Sequence, residues 1–213
     1  MKRLDYCASH IRHADRARGD DRRGLIPNMT SIDERPLEID ERLVPVHRGD
    51  LIKGAHNRSP VGTLVERTKL FAVLAQMQDA MALGAANAFS TVQNKVDAKV
   101  RLLFTYYQGR EMAAHQHLTH ITGMQVDFAH PHSPWERGIN ENTNGLLRPK
   151  GGDLRIYTQE DLDKIAWHLN TRPRKSLAKK FQAELFLPED SFYFQAYWKS
   201  ILQANQSNVA LGT

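Results

Sequence analysis

The chain has 213 residues, 41% of them apolar and 25% charged, enough for one domain of ordinary size with a sizeable core plus tails. Its 29 Lys and Arg against 24 Asp and Glu give a net charge of +5, which leans toward a polyanionic partner. No apolar run reaches the roughly 18 residues of a membrane span, the charged N-terminus lacks the apolar stretch of a secretory signal, and the single Cys7 excludes an internal disulfide framework, so a reducing cytoplasm is expected.

Residues 1–24 are dense in arginine, but Asp5, Asp15, Asp20 and Asp21 dilute the charge; a solvated tail and a segment contacting a nucleic-acid backbone both fit. Residues 1–40 read as a basic arm and linker, punctuated by Pro27 and Pro36. A core is expected over 41–188 and a tail over 189–213. The core opens with strands over Gly49–Ile52, Val61–Thr68 and Leu70–Met77, then a helix over Asp79–Val96. A buried strand, Val100–Tyr106, precedes a helix over Glu111–Ile121 stopped by Gly123, and Met124–Phe128 is a short fifth strand. Helices are expected again over 131–148, Thr158–Thr171 and Lys179–Phe186. Pattern alone supports a mixed α/β sheet with helices packed on it.

The helix over 131–148 draws notice because its start is strongly signalled. Ser133 is a good N-cap, Pro134 suits the first helical position, and Glu136 completes a capping box. Helical spacing sorts Trp135, Ile139, Asn142 and Leu146 onto an apolar stripe and Arg137, Glu141, Asn144 and Arg148 onto a polar one. On spacing alone, Glu141 is a surface carboxylate paired with Arg137. Asp50 is an acidic residue inside an apolar strand, where an unpaired charge is costly.

The run Ser-Pro-Trp-Glu-Arg-Gly-Ile-Asn-Glu-Asn-Thr-Asn-Gly-Leu-Leu-Arg (133–148) resembles the third-carboxylate motif of insertion-sequence-thirty family transposases. The Ile-Pro-Asn-Met-Thr-Ser-Ile-Asp-Glu-Arg-Pro run (26–36), Gly-Asp-Leu-Ile (49–52), Gly-Thr-Leu-Val-Glu-Arg-Thr (62–68) and Asn-Thr-Arg-Pro-Arg-Lys-Ser-Leu (170–177) are similar to other stretches of that family. The resemblance implies a ribonuclease-H-like, retroviral-integrase-type fold: a mixed five-stranded sheet flanked by helices. It implies DNA strand cleavage and transfer at element ends by an Asp-Asp-Glu triad holding two Mg²⁺ or Mn²⁺ ions. Asp50 and Glu141 match the first and last carboxylates of that triad and would be metal ligands. Hard carboxylate oxygens suit such ions, one of which activates the attacking oxygen while the other stabilises the leaving one.

The family's second Asp is missing. Its strand ends Thr, any residue, Asp, any residue, Gly, any residue, Glu, whereas this chain reads Thr105-Tyr106-Tyr107-Gln108-Gly109-Arg110-Glu111. From Tyr107 to Glu141 is a step of 34 (141 − 107), which matches the family spacing, so Tyr107 occupies the second catalytic position. A phenol is neutral at pH 7 and cannot replace a bridging carboxylate. Glu111 already has its place in the frame, and Asp97 and Asp127 fall on other elements. His130 replaces the Asp usual before Pro-His-Ser-Pro, and the run before Asp50 is one residue short.

The resemblance covers roughly 24–188, and the helix-turn-helix domain that precedes it in the family is expected to be absent. The chain therefore reads as a truncated, degenerate copy with impaired catalysis. Two alternatives stay open: a catalytically inactive DNA-binding fragment that interferes with an intact transposase through mixed oligomers, and a non-functional remnant. DNA is the expected partner, contacted by Arg137, Asn144, Arg148, Arg172, Arg174 and Lys175, and self-association is expected. His115, His117, His120, His130 and His132 lie close in sequence, but helical spacing does not gather them for zinc.

Overall fold

The computed structural model describes residues 26–35, 39, 44–54, 60–131, 133, 138–147 and 153–187. The expectations for 1–24 and 189–213, and those for Arg137, Arg148, Trp135 and Glu136, lie outside the described residues.

Five strands form one sheet in the order β3-β2-β1-β4-β5: β1 Val46–Lys53, β2 Pro60–Glu66, β3 Ala72–Gln76, β4 Leu103–Tyr106 and β5 Gln125–Phe128. The first three pair antiparallel, and β4 and β5 run parallel to β1. The β2–β3 turn is held by the buried Glu66, whose carboxylate accepts from the amides of Thr68 at 2.8 Å and Lys69 at 2.5 Å. Parallel pairing needs crossover segments, and helices supply them: α1 Ala82–Gln93 joins β3 to β4 and α2 His115–Thr122 joins β4 to β5. Each predicted element has a counterpart, with ends displaced by a few residues where the flanking residues are described; the flanks of the helix expected over 131–148 lie outside the described residues.

The expected helix over Glu111–Ile121 divides into a 3-10 turn, Arg110–Met112, and α2. Gly123 ends α2 in the left-handed region at φ 72°, its amide donating to the Thr119 carbonyl at 2.8 Å.

Alternation along the strands builds two faces. Leu64, Phe104, Tyr106, Val126 and Phe128 pack with Phe89 and Val92 of α1 and Leu118 of α2. The opposite face carries Ile52, Val61 and Leu74, covered by Leu162 and Ala166 of α4 Gln159–Asn170. Fully buried Phe89, Phe104, Tyr106 and Phe128 each contribute roughly 1.5–3 kcal/mol by leaving water. Thr158 caps α4 with a complete capping box to Asp161, and Asn170 at its far end bonds both ways with the backbone of Ala72. α3 Gly138–Leu147 lies on the same face as α4, and α5 Gln182–Phe186 closes the far end of the sheet through Phe71 and Phe186, whose rings stack 4.4 Å apart.

Candidate active site

Parallel pairing sets Arg48 of β1 opposite Thr105 of β4, so extending the register by two residues brings Asp50 level with Tyr107, one residue past the strand end. Asp50 and Tyr107 line one cleft, together with Gly49, Thr105, Ala129 and Asn140. Gly49 is required by close approach: a Cβ there would run into the Phe104 and Tyr106 rings on the opposite face. The Asp50 carboxylate is half-buried, accepting at Oδ1 from the Leu51 amide at 2.9 Å and at Oδ2 from Asn144 Nδ2 at 3.0 Å.

The second of these bonds corrects the face assignment of the helix over 131–148. Its buried residues are Asn140, Thr143 and Asn144, while Asn142 is exposed and Leu146 is 52% exposed. α3 therefore docks by its amides. Asn140 Nδ2 donates to the Arg48 carbonyl at 2.9 Å, and one turn later Asn144 reaches Asp50. Apolar counting favours the other stripe, because it prices an Asn as a surface residue even where a strand's carbonyl and carboxylate accept from its amide. Glu141, adjacent to Asn140 and three residues before Asn144, is exposed on the helix that these bonds seat over β1.

The remaining acidic candidates are engaged elsewhere. Asp97 caps the 3-10 turn Ala98–Val100, accepting from the Lys99 amide at 2.8 Å. Glu111 accepts from the Tyr106 hydroxyl at 3.3 Å. Asp127, fully buried on β5, pairs with Arg35. Among the histidines, His115 is buried edge-on against Phe128, His117 contacts Asn87 Oδ1 at 2.9 Å, and His130 faces Asp33 at 2.8 Å and holds that carboxyl below its usual range. His47, three residues before Asp50 on the other face, has neither ring nitrogen hydrogen-bonded, and burial pushes its pKa down to about 4.

The basic turn after α4 is built around a bridge between Pro173 and Phe181, with Arg172 and Lys175 exposed. Arg174 is partly buried: with the Gln182 amide oxygen turned toward it, that oxygen accepts from Arg174 Nε at 2.8 Å. This turn hangs beyond the Ala72 end of α4, while the cleft opens where β4 ends.

The donors test the ion site directly. Asp50 and Glu141 offer carboxylates, and the buried amide oxygens of Asn140 and Asn144 have no partner. No three His, Cys, Asp or Glu side chains gather at one point among the described residues, and position 107 is a tyrosine, not a carboxylate. The residues present do not fit a two-ion site.

The BIV integrase catalytic core matches at a TM-score of 0.50 and 16% identity, over 66% of this chain and 92% of that one. A chain of the simian T-cell lymphotropic virus intasome, solved with the PP2A regulatory subunit B56 gamma, matches at 0.55 and 17% over 79% and 58%. The domain is thus a ribonuclease-H-like core of retroviral-integrase type.

No family model matches the chain. The transposase for insertion sequence element IS1086 of Cupriavidus metallidurans is 55% identical over 166 residues, 76% of this chain and 49% of that protein. Transposase InsI for IS30A of Escherichia coli K12 is 38% identical over 82% of this chain and 47% of its own length. The chain is a homologue of the insertion-sequence-thirty family transposases, and it spans about half the length of the curated relatives it matches. No described helix is long and apolar enough to cross a membrane.

Proposed function

We propose that the chain carries the strand-cleavage and strand-transfer core of a DNA transposase whose second catalytic position has been lost, so that its own catalysis is impaired. Homology to transposases supports the reaction class. The observation that carries the impairment is the cleft itself, which Tyr107 and Asp50 both line. In an intact relative a carboxylate at this position would join Asp50 and the glutamate of α3 around Mg²⁺ or Mn²⁺ ions that activate the attacking oxygen. Here Asp50 and Glu141 are the two carboxylates left at the family's positions, and a tyrosine stands where the third would be.

DNA is the proposed partner. Arg172 and Lys175 are exposed cations suited to phosphate. Arg137 and Arg148 belong to the same proposal from their sequence alone. Asn144 is better suited to orienting Asp50 than to contacting DNA. Homo-oligomers, or mixed oligomers with an intact transposase, are proposed assembly states, and a cytoplasmic setting is proposed with them.

The test compares the natural chain with Tyr107→Asp, titrating Mn²⁺ by calorimetry and assaying nicking of supercoiled DNA. Two-ion binding and nicking confined to the variant support the reading. Equal nicking by both chains sinks the impairment, and absence of ion binding by both sinks the site.

A further inference from the structure

The stretch ahead of β1 is joined to the cleft by contacts that its sequence does not announce. Residues 26–35 lie along the outer edge of β5: the Phe128 amide donates to the Thr30 carbonyl at 2.9 Å, Ser31 bridges Phe128, and Asp33 meets His130. The deepest contact is Arg35. Its guanidinium forks onto Asp127, with Nη2 at 2.8 Å from Oδ1 and Nε on Oδ2, and Nη2 also donates to Thr105 Oγ1. Arg35 is 8% exposed, Thr105 3% and Asp127 fully buried. A buried fork of this kind is geometrically demanding, because a guanidinium offers fixed donor directions that a lysine cannot reproduce.

Three segments far apart in sequence therefore meet at one cation, and two of them end at the cleft. Thr105 lines it and lies two residues before Tyr107. Asp127 lies two residues before Ala129, which also lines it and whose amide donates to the Tyr106 carbonyl at 2.9 Å. Thr105 and Asp127 are register partners on the sheet face that carries Asp50. Without Arg35, that face would hold an uncompensated buried carboxylate and the end of β4 would lose its side-chain anchor.

We propose that Arg35 is a positioning residue for the cleft: through Thr105 and Asp127 it fixes the strand end that carries position 107. The functional side of this inference rests on the reading of the cleft given above. The structural side does not.

The test uses a double-mutant cycle of Arg35→Lys and Thr105→Val in the Tyr107→Asp chain, read by Mn²⁺ affinity. The lysine keeps a positive charge for Asp127 but has no second arm for Thr105, and the valine leaves the ion pair whole. Each single change is expected to weaken Mn²⁺ binding about tenfold while a cooperative melt persists, and the double change to weaken it no further. Unchanged affinity, or effects that multiply, overturns the proposal.

Should Tyr107→Asp bind no ions, the reading of the site fails, and amide exchange of Thr105→Val and Arg35→Lys in the natural chain decides the matter. Faster exchange at Phe128 and Ala129 than at the β1–β2 amides sustains the positioning role. A uniform change, or none, removes it.

Discussion

Asn144 of α3 donates to the Asp50 carboxylate of β1 at 3.0 Å, and this bond ties the helix that carries one candidate ligand to the strand that carries the other. Replacing the amide with an acid sets two carboxylates face to face. Asn144→Asp is expected to lower the melting temperature in chelator by about 2–4 °C for each kcal/mol of repulsion and to regain part of it in Mn²⁺. Thermal melts with and without the ion check this, and a melt indifferent to Mn²⁺ counts against the site.

The Phe104 and Tyr106 rings leave no room for a methyl at Gly49. Gly49→Ala should destabilise by about 1–3 kcal/mol through overpacking, measurable as a lower urea midpoint with an unchanged slope. An unaffected midpoint would show that the rings yield at no cost.

Arg35→Met removes the partner of a fully buried carboxylate. The expected loss is about 3–5 kcal/mol, because Asp127 is left charged and dry. Arg35→Met with Asp127→Leu, which removes both charges, should recover most of that loss. Equal loss in the single and double variants would mean that packing, not charge, dominates.

His47 supplies a pH dependence with a definite sign. Its imidazole is neutral in the folded chain, with the pKa pushed from 6.5 to about 4 by burial, and the carboxylate of its cross-strand neighbour Glu66 is engaged with the Thr68 and Lys69 amides. Below pH 6.5 the unfolded ring takes up a proton that the folded one refuses. Stability is therefore full above pH 6.5, falls as pH drops toward 4, and levels off below. Between pH 7 and pH 5 the expected loss is about 2 kcal/mol. His47→Leu should remove that share of the slope in urea titrations at the two pH values; an identical slope assigns it to other groups.

Much of the sheet was legible because hydrophobic periodicity is a local property. Val61–Val65 and Leu103–Tyr106 are apolar runs of strand length, and Gly123 and Thr158 mark helix ends by backbone geometry and capping chemistry within a few residues. Asp50, Tyr107 and Glu141 could be singled out because motif spacing survives in the chain even where one member has changed. The docking face of α3 was not legible, since burial of an Asn depends on an acceptor about ninety residues away. The same holds for Arg35, which reads as one more charge beside Pro36 until β4 and β5 fold beneath it.

By itself the sequence determined the order of strands and helices and the kinship of the chain, properties of neighbouring residues and of a preserved frame. Tertiary structure alone decided which carboxylates and amides are drawn into buried contacts. Whether Asp127 is a candidate ligand or half of a buried ion pair, and whether Asn144 faces solvent or Asp50, depends on desolvation and hydrogen-bond geometry between distant segments, and those exist only once the chain has closed on itself.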